Sequence, residues 1–219
     1  MNIKVLTALF LLLASLLSGC APQIYNVDLR YQPTKEIKPM ITDGRKFSVT
    51  VAELIDSRKM DDNLLVGRVI RSNGTSIPVL PRHTKVSVAV SDALRRILIQ
   101  SGFDVSSEKA SWDLQEKTIL PNWGTILIGG RIDELRIICL DNIPVKKYTA
   151  DAKISLFFAD IRKRRIFYHV SAKSSSSLEH IVFSEDKLES QINGVLFDAM
   201  EKILEGQETI KQIRETLKQ

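Results

Sequence analysis

Residues 124–177 constrain this chain most. The stretch GTILIGGRIDELRIICLD (124–141) reads as one long strand, and KKYTADAKISLFFADI (146–161) with RRIFYHVSAKSSSS (164–177) as an antiparallel pair joined near Asp160–Lys163. Their β-branched and aromatic residues alternate with polar ones, which suits a pleated surface wet on one side. A sheet of such strands must bury its apolar face against another layer. Two amphipathic segments supply that layer. Val86, Val90, Ala93, Leu94, Ile97 and Leu98 fall on one helical face, and Gly102 is placed to stop the helix. Leu188, Ile192, Val195, Leu196, Ala199, Ile203 and Leu204 mark a second helix, opened by Ser184-Glu185-Asp186 with acids in its first turn. The expected class is α+β: an antiparallel sheet with two amphipathic helices packed on one face.

Weaker signals fill in the rest. Tyr25, Val27, Leu29 and Tyr31 alternate over 24–31, so a short strand is expected there, as part of the sheet or as a tether. Residues 32–44 hold two prolines and end in Asp-Gly, the composition of a connection. Residues 46–56 read as a strand ending in a polar loop at Asp56-Ser57-Arg58. Residues 64–80 read as a hairpin about Asn73-Gly74, the dipeptide preferred in type I′ turns. Gly129-Gly130 predicts a bulge or a close backbone approach within the long strand. Gly206 ends or kinks the second helix, and Ile210, Ile213 and Leu217 repeat its pattern weakly. Whether 207–219 packs on the domain or reaches outward stays open.

The N-terminal segment is an address. Lys4 supplies a positive charge, Val5–Leu17 a nearly continuous apolar run, and Leu17-Ser18-Gly19-Cys20 matches the bacterial lipobox. The run is too short for a comfortable span of ~20 apolar residues. The expected processing removes 1–19 and lipidates Cys20, and two or three acyl chains anchor stably where one does not. Ala21 stands where Asp would signal inner-membrane retention in many Gram-negative bacteria. The expected location is therefore the periplasmic face of the outer membrane. The expected division is 1–19 signal peptide, 20–45 lipidated N-terminus with a short strand and connection, and 46–219 a single domain.

Composition excludes more than it assigns. An apolar fraction of 44% is ordinary for a globular domain. A net charge of +5 is far from that of a dedicated nucleic-acid binder. With Cys20 acylated, Cys139 has no intramolecular partner, and its run ELRIICLD makes it a small buried hydrophobe. His83, His169 and His180 are scattered and show no metal-ligand spacing. No phosphate-binding or nucleophile motif is present. No cofactor, metal or catalytic residue is therefore expected. Two groups remain as candidate partner or headgroup contacts. Arg162, Lys163, Arg164 and Arg165 form a basic turn that meets anionic groups or simply stays solvated. Trp112 and Trp123 bracket a proline loop and form either a partner patch or edge-of-core packing.

The order of pieces resembles the YajG-type outer-membrane lipoproteins and, more distantly, the PqiC-type auxiliary lipoproteins of lipid-transporting ABC systems. The likeness rests on the Cys20 lipobox, VTVAELIDSR (49–58), VSVAVSDALRRILIQSGFDV (86–105), ILIGGRIDELRI and YTADAKISLFFAD. It implies an outer-membrane lipoprotein facing the periplasm, with a compact α+β domain on a lipid anchor at Cys20 and no known enzymatic activity; a protein partner in the envelope is expected alongside the membrane contact of the anchor. Asp56 and Arg58 match the family's polar strand end and would pair to fix the loop. The expected function is a non-enzymatic envelope lipoprotein acting as a binding or assembly module. Alternatives are an auxiliary lipoprotein of a lipid-transporting ABC system, or an envelope hydrolase using Asp133, Glu134 and His169.

Overall fold

The computed structural model describes residues 23–30, 48–60 and 62–218. The lipobox, Cys20 and the whole 32–44 connection lie outside them. The chain order is β1 (Tyr25–Val27), β2 (Ser48–Val51), β3 (Ile55–Asp56), β4 (Gly67–Arg71), β5 (Ser76–Pro81), α1 (Val86–Gln100) and β6 (Asp104–Val105). A 3₁₀ turn (Glu116–Thr118) precedes β7 (Ile126–Asp141), β8 (Lys146–Asp160) and β9 (Arg165–His180), and α2 (Glu185–Leu204) and α3 (Gln207–Lys218) close the chain.

The expected α+β class holds, with two differences. The sheet is mixed, and a third helix packs on it. β7 is the spine. One of its edges pairs along its whole length with β8, antiparallel, and β8 pairs with β9 in the same way. Its other edge is shared by three short parallel partners: β2 at Ile126–Ile128, β3 at Arg131–Ile132 and β4 at Ile137–Asp141. The expected 46–56 strand is thus two strands, because β2 and β3 meet β7 at separate places. β1 runs parallel to β5, and Tyr25, Val27 and Leu29 are buried in the core. The short N-terminal strand therefore belongs to the domain, not to a tether before residue 46.

The periodicities explain the layers. Every apolar residue named above for α1 and α2 is buried. They meet the inward residues of β7 and β8, among them Ile132, Ile137, Tyr148, Ile154 and Phe158, in one core. Helix α1 ends as the sequence predicts, with Ser101 at the C-cap and Gly102 at φ +91°. Helix α3 folds back on the sheet rather than reaching out, with Ile213 buried in the core and Leu217 packed against it. Cys139 is buried opposite Tyr148, and burial pushes its thiol up to about 11.

One local reading needs correction and another is resolved. In the β4–β5 turn only Gly74 has a positive φ, +84°, and its N–H donates to the Arg71 carbonyl at 2.8 Å. A type I′ turn needs both central residues left-handed, so this is the longer form with one left-handed glycine. The β7 irregularity falls at Ile132–Glu134, where Asp133-Glu134 interrupts the apolar pattern of the strand, and of the two readings of Gly129-Gly130 the close approach holds rather than the bulge. A Cβ on Gly129 would lie 2.6 Å from the Trp112 ring, and one on Gly130 would lie 2.3 Å from the Ser155 carbonyl oxygen. Gly130→Ala is expected to destabilise the domain by about 2 kcal/mol, because strand backbones 4.8 Å apart cannot yield to it. A urea unfolding midpoint measures this.

Candidate functional site

The β8–β9 turn carries the basic run. Ile161 is buried and holds the turn down, while Arg162, Lys163, Arg164 and Arg165 are exposed. Arg164 takes a left-handed φ of +48° to close it. Asp160 is buried at the end of β8. Its Oδ1 accepts the Lys163 backbone N–H at 3.2 Å, and its Oδ2 lies 3.8 Å from the Lys163 ammonium. Among the described residues, Arg162, Arg164 and Arg165 enter no ion pair. Three guanidinium groups therefore stand outside ion pairs at one sheet end, with the Glu215 carboxylate across the cleft from Arg165.

Beside the turn, Gln212, Glu215 and Thr216 of α3 face Lys163, Arg165 and Phe167 across a cleft of about 230 Å³. Small-molecule sites usually run from about 300 Å³ upward and are lined mostly by apolar groups. This cleft is small and polar, which fits a few charged groups of a larger partner better than an enclosed organic ligand.

Both tryptophans lie at the same end, but not on the surface. Trp112 is 3% exposed and Trp123 5%, so neither offers a partner patch, and the packing alternative describes them. The loop 106–125 crosses the face of the sheet opposite the helices. There Trp112, Ile119, Trp123, Leu127, Ala159 and Ile161 form a second, smaller core. The Trp112 indole N–H donates to the Gln115 carbonyl at 2.9 Å, which satisfies its one polar atom. The Glu116 carboxylate accepts the Ile166 N–H at 2.8 Å, pinning the loop to the start of β9. Sequence reasoning named both groups without showing that one supports the other. The buried Ile161 inside a charged run was the available signal.

The residues considered for hydrolysis form no cleft. Asp133 accepts a hydrogen bond from the Ser155 hydroxyl and lies 3.6 Å from Arg131. Glu134 pairs with Arg136 at 3.2 Å and Lys173 at 3.1 Å, and His169 stacks on Phe157. These groups lie on the open outer face of the β7–β8–β9 sheet, each with a partner on that face. Asp151 joins them. Its partial burial works to raise its pKa, but hydrogen bonds from Ser175 and Arg136 outweigh that and hold it below the usual carboxylate range. Cross-strand pairs of this kind stabilise a wet sheet face. No metal-binding group of His, Cys, Asp and Glu occurs among the described residues.

The Asp56–Arg58 pair fixes its loop, as expected from the resemblance. Arg58 is 5% exposed and makes a two-pronged contact with Asp56, both bonds at 2.8 Å. It also donates to the carbonyls of Leu65, Asn63 and Leu135. Its role is to join β3, the loop before β4 and the middle of β7.

No family model matches the sequence, and no curated protein matches it. The fold is similar to that of protein XCC0632 from Xanthomonas campestris, of the DUF330 family, with a TM-score of 0.54 at 9% identity over 90% of this chain and 100% of that one. A neuraminyllactose-binding hemagglutinin homolog from Helicobacter pylori aligns with a TM-score of 0.48 at 11% identity over 87% and 98%. Protein CT253 from Chlamydia trachomatis aligns with 0.44 at 13% over 79% and 98%. At these identities the likeness to XCC0632 speaks to the fold alone, and the two lower scores carry no further weight.

Proposed function

We propose that this chain is a non-enzymatic lipoprotein of the cell envelope, anchored through Cys20, whose domain presents the Arg162–Arg165 end to an anionic partner. The observation that carries this is the axial layout of the domain. The described chain begins at Gln23, and β1 runs beside β5 from the β4–β5 turn end of the sheet. Gln23 accepts a hydrogen bond from Arg71, the last residue of β4, at 2.6 Å. The basic turn lies at the other end of β8, whose 15 residues extend about 45 Å at ~3.3 Å each. An anchor at one end and three guanidinium groups outside ion pairs at the other is the layout of a module that reaches away from its membrane. Headgroups of the anchoring bilayer are then poorly placed to meet the basic turn, and a partner further into the periplasm is better placed.

The resemblance to YajG-type lipoproteins supports the same reading, with Ala21 pointing to the outer membrane. The fold shared with the DUF330 protein agrees with the more distant PqiC-type likeness, which favours a place beside a lipid-transport system as the second reading. Crosslinking in cells tests both. Full-length protein is compared with a variant in which Arg162, Lys163, Arg164 and Arg165 are all replaced by Gln. The variant is expected to remain in the membrane fraction and to lose the captured partner, and capture by the unaltered protein should weaken at high salt. Equal capture by both forms would sink the role of the basic turn. Cys20→Ala is expected to move the chain from the membrane to the soluble fraction. If it stays membrane-bound, the anchor reading fails.

A further inference from the structure

We propose that the sheet end formed by Ile24, Ile143, Val145, Ile181 and Val182 rests in the interface of the bilayer that holds the anchor. This rests on the lipid-anchor reading above and goes beyond it, by assigning a membrane-contacting face of the folded domain.

The apolar residues converge from three places in the chain. Ile143 and Val145 sit in the β7–β8 turn, Ile181 and Val182 just beyond β9, and Ile24 just before β1. All five are exposed, with Ile143 at 85%, Ile181 at 74% and Val182 at 63%. The register brings them together. Lys146 pairs with His180, so Val145 and Ile181 are the first residues beyond the last pair of the β8–β9 ladder. The Phe183 ring packs on Tyr25 with centroids 4.8 Å apart, which ties the 181–183 segment to β1 and so to Ile24. The Tyr148 hydroxyl accepts the Ser184 N–H at 2.9 Å and holds the same loop against β8. These side chains stand on braced backbone.

The position of the anchor says what covers them. Cys20 precedes Gln23 by three residues, and an extended chain spans at most about 3.6 Å per residue. The lipidated residue is thus held within about 11 Å of the chain at Gln23. A domain tethered so closely cannot keep this end far from the bilayer. Branched aliphatic side chains at the end nearest the lipid gain by leaving water for the acyl boundary. Charge is not the main attraction here, because the cations of this end have carboxylates beside them, Arg71 lying opposite Asp141 in the register. Lys146 pairs with Asp141 at 3.0 Å, and Lys147 lies opposite Glu179 in the register. Contact should therefore be insensitive to salt, in contrast to capture at the basic turn.

Site-directed labelling of the full-length lipoprotein tests this. Ile143→Cys, Ile181→Cys and, as the far-end control, the exposed Leu120→Cys are each labelled with an environment-sensitive fluorophore. Cys139 is buried with a raised thiol pKa and stays unlabelled. Each protein is reconstituted in phosphatidylethanolamine–phosphatidylglycerol vesicles, with and without lipid spin-labelled near the headgroup. The expected result is blue-shifted emission, quenched by the spin label, at 143 and 181 but not at 120, unchanged by salt. Equal emission at all three sites, in protein that floats with the vesicles and carries an acyl mass on its Cys20 peptide, overturns the membrane face while the anchor stands. Protein that does not float and has an unmodified Cys20 overturns the anchor reading and the face with it. A shift seen only at high protein-to-lipid ratio, and not quenched by lipid, assigns this end to a second copy of the chain and also overturns the proposal.

Discussion

Replacing Arg58 with methionine should cost the domain about 3–5 kcal/mol, the range for removing one partner of a buried, hydrogen-bonded charge pair. The guanidinium meets the Asp56 carboxylate with both prongs and donates to carbonyls at Asn63, Leu65 and Leu135. Methionine fills much of the volume and supplies none of these donors. It leaves the Asp56 carboxylate without its guanidinium and several carbonyls without a donor beside the core. Total stabilities of domains lie between about 5 and 15 kcal/mol, so the variant should fold marginally or not at all at 37 °C. Arg58→Lys should recover little, because one ammonium cannot reproduce the planar fork. Urea denaturation followed by circular dichroism reads the effect. A methionine variant within 1 kcal/mol of the parent would show that the pair is dispensable.

Trp112→Ala should have a comparable effect, about 3–5 kcal/mol, through the cavity it opens. The site cannot close over the loss easily. The indole lies over Gly129, which has no side chain to move into the space, and the β7 backbone beneath is fixed by strands on both sides. The consequence should reach the basic turn, since Trp112 and Ile161 share the smaller core and Glu116 pins Ile166. Hydrogen exchange at 161–166 should quicken more than exchange in α2, which packs on the main core. Trp112→Phe should lose much less. If exchange quickens uniformly, the smaller core does not act as a local support, and the basic turn is held by β8 and β9 alone.

Much of the fold was legible because its signals are local. Helix α1 shows the 3.6-residue period with a glycine stop, the β4–β5 hairpin carries Asn-Gly, and β7, β8 and β9 alternate over many residues. The errors came where local rules met distant partners. Nothing within 46–56 shows that its two halves dock at separate sites on β7, or that the pairing is parallel. Gly129 and Gly130 left a bulge and a close approach both open because, in sequence, a glycine that avoids a ring or a carbonyl is indistinguishable from one that bends a strand. The tryptophans were ambiguous for a similar reason: composition cannot say which side of a loop faces the sheet.

The sequence alone determined the α+β class, the faces of α1 and α2 and the burial of Cys139, and it carries a lipobox at Cys20 and no recognised catalytic motif. All of these follow from residue type and short spacing. The tertiary structure decided the rest. It buried Arg58 among three carbonyls, placed Trp112 under the basic turn, folded α3 onto the core, and set the apolar end beside Gln23 and the cations at the opposite end. The physical reason is the long β7–β8–β9 ladder. Its antiparallel pairing carries residues close in sequence to opposite ends of the domain and brings residues far apart in sequence together at each end. No reading of local period contains that geometry.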